Sequence, residues 1–198
     1  LKRVAEDDGE GRLDALRNFQ QAAIFRVAIV DLAGTLPLMK VSDRLTDIAE
    51  LVLETALQIA WRELAQRHGE PRCMENGITL PARFAIIAYG KLGGLELGYG
   101  SDLDLVFLHD SAGESEQTDG AQPLDNAMFF ARVTRRIDAA VRSDRHAEAD
   151  VVFVRRTAIG PGPEEIARGR VLAKQQIITL PVDPGVAGEE NASVGADS

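Results

Sequence analysis

Two carboxylates one residue apart, Asp102 and Asp104, close a glycine-rich run that reads Tyr89-Gly90-Lys91-Leu92-Gly93-Gly94-Leu95-Glu96-Leu97-Gly98-Tyr99-Gly100-Ser101-Asp102-Leu103-Asp104-Leu105-Val106-Phe107. In an extended chain, side chains two positions apart share a face, so the two carboxylates aim together while Leu103, Leu105 and Phe107 face a core. Carboxylates held so close repel one another unless a cation lies between them, and Mg²⁺ favours carboxylate oxygen together with substrate phosphate. The Gly100-Ser101 step brings backbone N–H groups and a hydroxyl to the place where a nucleotide's phosphates would lie beside that cation. The chemistry such a loop and clamp offer is nucleotidyl transfer.

An isolated Asp-x-Asp is also what an ordinary turn and strand edge look like, because Asp and Ser favour turns through local hydrogen bonds. Here the Gly-Ser step, the apolar runs on both sides and the additional glycines favour the clamp. The loop is neither of two commoner phosphate binders: no Gly-Lys-Ser/Thr follows four free positions, and the glycines do not fall as Gly-x-Gly-x-x-Gly. Candidate nucleotide contacts are Gly90, Lys91, Gly93, Gly94, Gly100 and Ser101, with Asp102 and Asp104 as catalytic metal ligands. Lys91 serves either as a phosphate contact or as a loop brace, and Glu96 as a cap or brace. His109 reads as a strand-end residue rather than an acid or base.

These residues resemble the bifunctional family of glutamine synthetase adenylyltransferase and adenylyl-removing enzymes. The resemblance rests on residues 84–110, with Gly90-Lys91-Leu92-Gly93-Gly94, Glu96-Leu97-Gly98-Tyr99 and Ser101-Asp102-Leu103-Asp104-Leu105. A second block, Phe19-Gln20-Gln21-Ala22-Ala23 with Ala33-Gly34-Thr35-Leu36-Pro37-Leu38-Met39-Lys40-Val41-Ser42-Asp43, is similar to the helical lead-in of that family's nucleotidyltransferase domain. The wording Gly98-Tyr99-Gly100-Ser101-Asp102-Leu103-Asp104-Leu105-Val106-Phe107-Leu108-His109-Asp110 is closer to the C-terminal, adenylylating half than to the removing half.

The resemblance implies an α+β, DNA polymerase beta-like nucleotidyltransferase fold. It also implies ATP as substrate, Mg²⁺ as cofactor, and transfer of AMP to a tyrosine of glutamine synthetase, with reversal by phosphorolysis in the other half. A PII signalling protein and glutamine would regulate the intact enzyme. The family continues into a strand bearing a third carboxylate and then an arginine-rich stretch, which this chain does not show. Asp150, ahead of Val151-Val152-Phe153-Val154, is the available substitute for that third metal ligand. A shifted reading frame or early ending would account for the departure, and it leaves a catalytically deficient fragment as the alternative function. A nucleotidyltransferase acting on another acceptor is a third reading, because loop and clamp handle ATP and metal whereas the acceptor is chosen elsewhere.

Local patterns supply the elements around the loop. Leu13, Leu16, Phe19, Ala23, Val27 and Val30 recur at helical spacing until Gly34 and Pro37 break them. A longer helix is expected from a cap at Ser42, with Leu45, Ile48, Val52, Ala56, Ile59 and Leu64 as its stripe, Ala49, Leu53 and Ala60 beside it, and Gly69 and Pro71 at its end. The two helices are expected to pack together. Phe19, Phe25 and Trp61 read as core or helix-contact residues rather than base-stacking platforms. The period then changes: Phe84-Ala85-Ile86-Ile87-Ala88 and Asp104-Leu105-Val106-Phe107-Leu108 read as buried strands flanking the loop. Residues 111–123 read as an exposed loop. From Leu124 a third helix is expected with Met128, Ala131, Ile137 and Val141 inward. Arg132, Arg135 and Arg136 would face outward, either as a solvated face or as contacts for phosphate or an acidic target patch.

The boundaries expected are a helical lead-in over 1–72, an incomplete nucleotidyltransferase core over 73–156, and a disordered low-complexity tail over 157–198 in which only Ile177-Ile178-Thr179-Leu180 is core-forming. With 198 residues and 45% hydrophobic content the chain is long enough for one real core. It opens on Leu1 and reads as a fragment. A net charge of −9 disfavours non-specific nucleic-acid binding. Without a bilayer-length apolar run or a signal peptide, and with the single Cys73 unable to form an intrachain disulfide, no membrane association is expected and the cytoplasm is the expected location. Cys73 is read as an incidental thiol.

Overall fold

A computed structural model describes residues 9–75, 77–111, 116–141, 153–155 and 176–179. Two long helices open the chain, α1 (Gly9–Leu32) and α2 (Leu38–His68), followed by a two-stranded antiparallel hairpin, β1 (Arg72–Glu75) and β2 (Ile78–Pro81). The strands β3 (Phe84–Ala88) and β4 (Leu105–His109) flank a single helical turn, α3 (Gly90–Gly93), and α4 (Asn126–Val141) comes next. Two short strands complete the sheet, β5 (Phe153–Arg155) and β6 (Gln176–Thr179), in the order β5-β4-β3-β6. The pairing is antiparallel between β3 and β4, with Phe84 opposite His109 and Ala88 opposite Leu105; β6 joins β3 antiparallel and β5 joins β4 parallel. Mixed helix and sheet is therefore the architecture. Among the described residues no helix is long and apolar enough to cross a membrane.

The core forms where α2 and α4 cover one face of the sheet. Alternation along the strands puts Phe84, Ile86, Ala88, Leu105 and Phe107 into one cluster with Val52, Leu53, Ala56 and Leu57 of α2 and Phe129, Phe130, Val133 and Ile137 of α4. Its centre is aromatic. Phe84 stacks on Phe130 at a centroid distance of 5.5 Å, Trp61 meets Phe129 edge-on at 5.2 Å, and His109, at the end of its strand as expected, stacks on Phe130 at 4.6 Å. Trp61 is thus a helix-contact residue, with its indole N–H donating to Glu70 at 2.8 Å. Cys73 is buried in β1.

Several expectations are corrected. α2 starts at Leu38, a turn before Ser42, because Pro37 adopts extended geometry and its carbonyl accepts from Lys40 and Val41. Phe19 and Phe25 are not in the core: they are 47% and 65% exposed, and Val30 is exposed too, since among the described residues α1 presents Leu13 and Leu16 to its neighbours and its other side is uncovered. In α4, Met128 is exposed while Phe129 and Phe130 point inward. The helix begins at Asn126, capped by the Asp125 carboxylate, which accepts from Ala127 at 2.8 Å and so fixes which face turns in. The span 111–123 is not simply an exposed loop, because Ser111 and Thr118 are buried and Thr118 bridges to Pro71. The expected ends at Gly69 and the packing of α1 on α2 hold. Most of the expected tail lies outside the described residues, and its described part, β6, falls on the exempted Ile177-Ile178-Thr179 run.

Long-range polar contacts clamp these pieces together. Gly69 has a positive φ of 82° and lies so close to Gly120 that a Cβ would fall on the backbone nitrogen of that residue, so the end of α2 docks directly on the 116–125 segment. Arg83 bonds Asp110 through both its backbone N–H and its guanidinium, at 2.6 and 2.5 Å, closing the end of β3 and β4 away from the glycine loop. Buried Asn126 donates to the Arg72 carbonyl at 2.7 Å and to the Ser111 hydroxyl at 3.0 Å, tying α4 to both flanking segments. Asn126→Ala is expected to cost about 1–3 kcal/mol, because it strands buried partners. A urea melt of the variant checks this, and an unchanged midpoint would refute it.

Candidate functional site

Loop and clamp sit at the open end of the β3–β4 pair. The Tyr89 N–H donates to the Asp104 carbonyl at 2.8 Å, extending the ladder one step beyond Ala88 and Leu105, so both ends of the loop leave the sheet side by side. At that exit Gly90 takes a φ of +55°, and a Cβ there would fall on Oδ2 of Asp104, with the carboxyl carbon 3.2 Å away. The carboxylate of Asp104 is therefore seated against the backbone that starts the glycine run. Residues 101–104 run without assigned secondary structure into β4, and they alternate: Asp102 and Asp104 are exposed while Leu103 is half-buried and Leu105 buried. The strand itself begins at Leu105, one residue later than its sequence indicates.

Inside the loop the chain turns on itself. The Gly93 and Gly94 N–H groups donate to the Tyr89 and Gly90 carbonyls at 3.0 and 2.9 Å, so the backbone donors of these two glycines are used within the turn. Gly93 and Leu92 are buried beneath it, Leu97 pins its far side, and Lys91 is exposed. Ser101 accepts from the Gly98 N–H at 3.0 Å through its hydroxyl oxygen, which leaves the hydroxyl proton to be donated outward. Gly100 is exposed beside it. Behind this second turn a cavity of about 110 Å³ reaches between α1 and α2, lined in part by Ile24, Leu45, Gly98, Tyr99 and Leu103.

One tie escaped the sequence. The Tyr99 hydroxyl donates to Asp31 at 3.2 Å, fastening the loop to the end of α1. Desolvation, and then the Asp31 carboxylate, raise the phenol above its ordinary range, so Tyr99 acts as a neutral donor there. No local signal marks this pair, which lies 68 residues apart.

Among the described residues no group of three or more His, Cys, Asp or Glu is placed to hold a metal ion. Asp150 lies outside the described residues. The donor set at the strand end is Asp102 and Asp104, two exposed carboxylates with no basic partner among the described ion pairs. That set fits Mg²⁺, which is commonly held by one or two carboxylates with waters and substrate phosphates filling the remaining positions.

Comparison with known proteins adds an independent line. The model of the glutamate-ammonia ligase adenylyltransferase family matches residues 1–152. A curated relative from Thioalkalivibrio sulfidiphilus, a bifunctional glutamine synthetase adenylyltransferase/adenylyl-removing enzyme, is 59% identical over 137 residues, which is 69% of this chain and 14% of the relative. Proteins of the same name from Pseudomonas putida and Pseudomonas aeruginosa are 53% and 51% identical over the same share. The matched region thus spans about a seventh of the length of these relatives.

Proposed function

The chain belongs to the glutamate-ammonia ligase adenylyltransferase family, and from that premise we propose that loop 89–104 binds ATP and moves its AMP group to a tyrosine hydroxyl of glutamine synthetase. The observation that carries the proposal is the seating of the Asp104 carboxylate on Gly90, with Asp102 exposed two residues away. It supports a nucleotidyltransferase of the DNA polymerase beta-like kind, in which a glycine turn and paired carboxylates share one strand end. The adenylylating rather than the removing half is the assignment favoured by the wording of residues 98–110. Residues 73–156 would form the nucleotidyltransferase core and 1–72 its helical support.

The roles of the residues follow from their positions. Asp102 and Asp104 would hold Mg²⁺ against the triphosphate; when bound, that cation offsets negative charge at the α-phosphate and on the departing pyrophosphate. Ser101 donates its hydroxyl proton to a phosphate oxygen, while Lys91, exposed on the opposite limb of the loop, supplies a positive charge to the phosphates. Buried Leu92 and Leu97 keep the loop in one conformation, so these donors are placed before substrate arrives. The acceptor hydroxyl attacks in line and pyrophosphate leaves. Glutamine synthetase would be the protein substrate, with a PII signalling protein regulating the complete enzyme.

Incubation with glutamine synthetase, Mg²⁺ and ATP labelled in its α-phosphate tests this, and label on the synthetase is the expected result. A second reading is favoured by the end of the family match at residue 152 of 198: a chain that binds nucleotide but transfers little. It predicts ATP binding without label on the synthetase. Absence of both binding and transfer would remove both readings.

A further inference from the structure

Away from the glycine loop, α1, α2 and α4 enclose an open cleft of about 390 Å³ whose walls include Arg17, Arg132, Arg135 and Arg136, with Glu10 and Glu63. None of these residues lines the cavity behind the loop. The concentration runs against composition, since the chain carries 31 acidic to 22 basic residues, yet arginines outnumber acids two to one around this cleft. On α4 the three arginines stand at i, i+3 and i+4, where like charges repel and weaken a helix.

Existing contacts offset only part of that charge. Arg136 is bonded to Glu63 at 2.7 Å, and Arg17 is bonded to Asp14 and caps the Ala139 carbonyl at 2.9 Å, so those two are held in place by the fold. Arg132 points one Nη at Nε2 of buried His68, 3.3 Å away, and the His68 Nδ1 lies 2.8 Å from the Gln122 carbonyl oxygen, which can only accept. That contact orients Arg132 without cancelling its charge. Arg135 stands exposed at the rim. A guanidinium presents five donors in a rigid fork, so most of the donors of Arg132 and Arg136, both lining the cleft, have no partner among the described residues.

We propose that this cleft is a binding site for a small oligophosphate, separate from the nucleotide loop. Phosphate oxygens match the forks of adjacent arginines bidentately, and a cleft of this size has room for a diphosphate-sized anion. Inorganic pyrophosphate is the probe. Titrated calorimetrically into the full chain at low salt with EDTA present, which suppresses a Mg²⁺-dependent contribution from Asp102 and Asp104, it is expected to bind saturably. Arg132→Gln with Arg135→Gln is expected to weaken binding by about tenfold or more, the loss of at least one charge-assisted bond. Arg135→Gln alone, at an exposed position, gives the same direction without touching His68. Arg44→Gln, which removes the same charge from the exposed face of α2, should leave the affinity unchanged. Citrate in a parallel arm separates phosphate recognition from general attraction of anions. No binding by the parent, equal weakening by Arg44→Gln, an unaltered Arg135→Gln, or equally tight citrate binding would each overturn the proposal.

Discussion

An Asp104→Asn chain is expected to transfer AMP at least about 10³-fold more slowly than the parent while melting at nearly the same temperature. The exposure of Asp104 and the absence of a basic partner among the described ion pairs make the carboxylate dispensable to the fold. Asparagine preserves its shape against Gly90 but removes the charge. If a metal-bound carboxylate supplies about 4 kcal/mol of differential stabilisation to the transferring phosphoryl group, its loss gives that factor. Asp102→Asn should behave alike, and the double variant should lose little more than either alone, since ligands of one cation act as a unit. Single-turnover incorporation of labelled AMP, paired with thermal melts, gives the result. Transfer within tenfold of the parent would show that the clamp is not where the charge is handled.

The strand–loop–strand unit was legible because its signals are local. The run Phe84 to Ala88 is apolar at every position and forms β3 at those bounds, and the alternation of Asp102 and Asp104 with Leu103 and Leu105 is written into consecutive residues. The α2 stripe was legible for the same reason, as Leu45, Val52, Ala56 and Leu64 are all buried. What escaped depends on partners far along the chain. Met128 and Phe129 are both apolar neighbours on one helix, and only the Asp125 cap and the aromatic cluster with Phe84 and Trp61 decide which of them turns inward. Phe19 falls on a helical period that would suit a core and Phe25 reads as a helix contact, but among the described residues α1 is covered on the side of Leu13 and Leu16 and these two rings face away from it. The tie of α4 to β1 through Asn126 and Arg72, and of the loop to α1 through Tyr99 and Asp31, joins residues whose separation erases any local pattern.

Gly90→Ala is expected to harm both stability and transfer; Gly100 shares its left-handed φ, at +68°, but a Cβ there would meet nothing within 4 Å, whereas at Gly90 it would strike the clamp. A left-handed φ of +55° costs an L-residue roughly 1–2 kcal/mol, and the added methyl would also overlap Oδ2 of Asp104. Either the carboxylate swings away or the start of the loop moves, so the expected loss is about 2–3 kcal/mol with transfer lowered towards that of Asp104→Asn. Gly94→Ala is the contrast. Its backbone is helical at φ −83°, and its Cβ would meet the Gly90 carbonyl at 3.2 Å, Glu96 at 3.7 Å and the Lys91 carbonyl at 3.8 Å, none of them a clamp carboxylate, so transfer within about tenfold of the parent is expected. The overlap can be isolated from the strain of the turn by adding Asp104→Ala to Gly90→Ala. Once the carboxylate is gone the methyl has room, and the double variant should recover about 1 kcal/mol or more of stability relative to additivity, because residues in contact couple. Additive losses in denaturant melts would mean that the carboxylate does not rest on Gly90 in solution. The case for a preorganised clamp would then fall even if the chain transfers AMP.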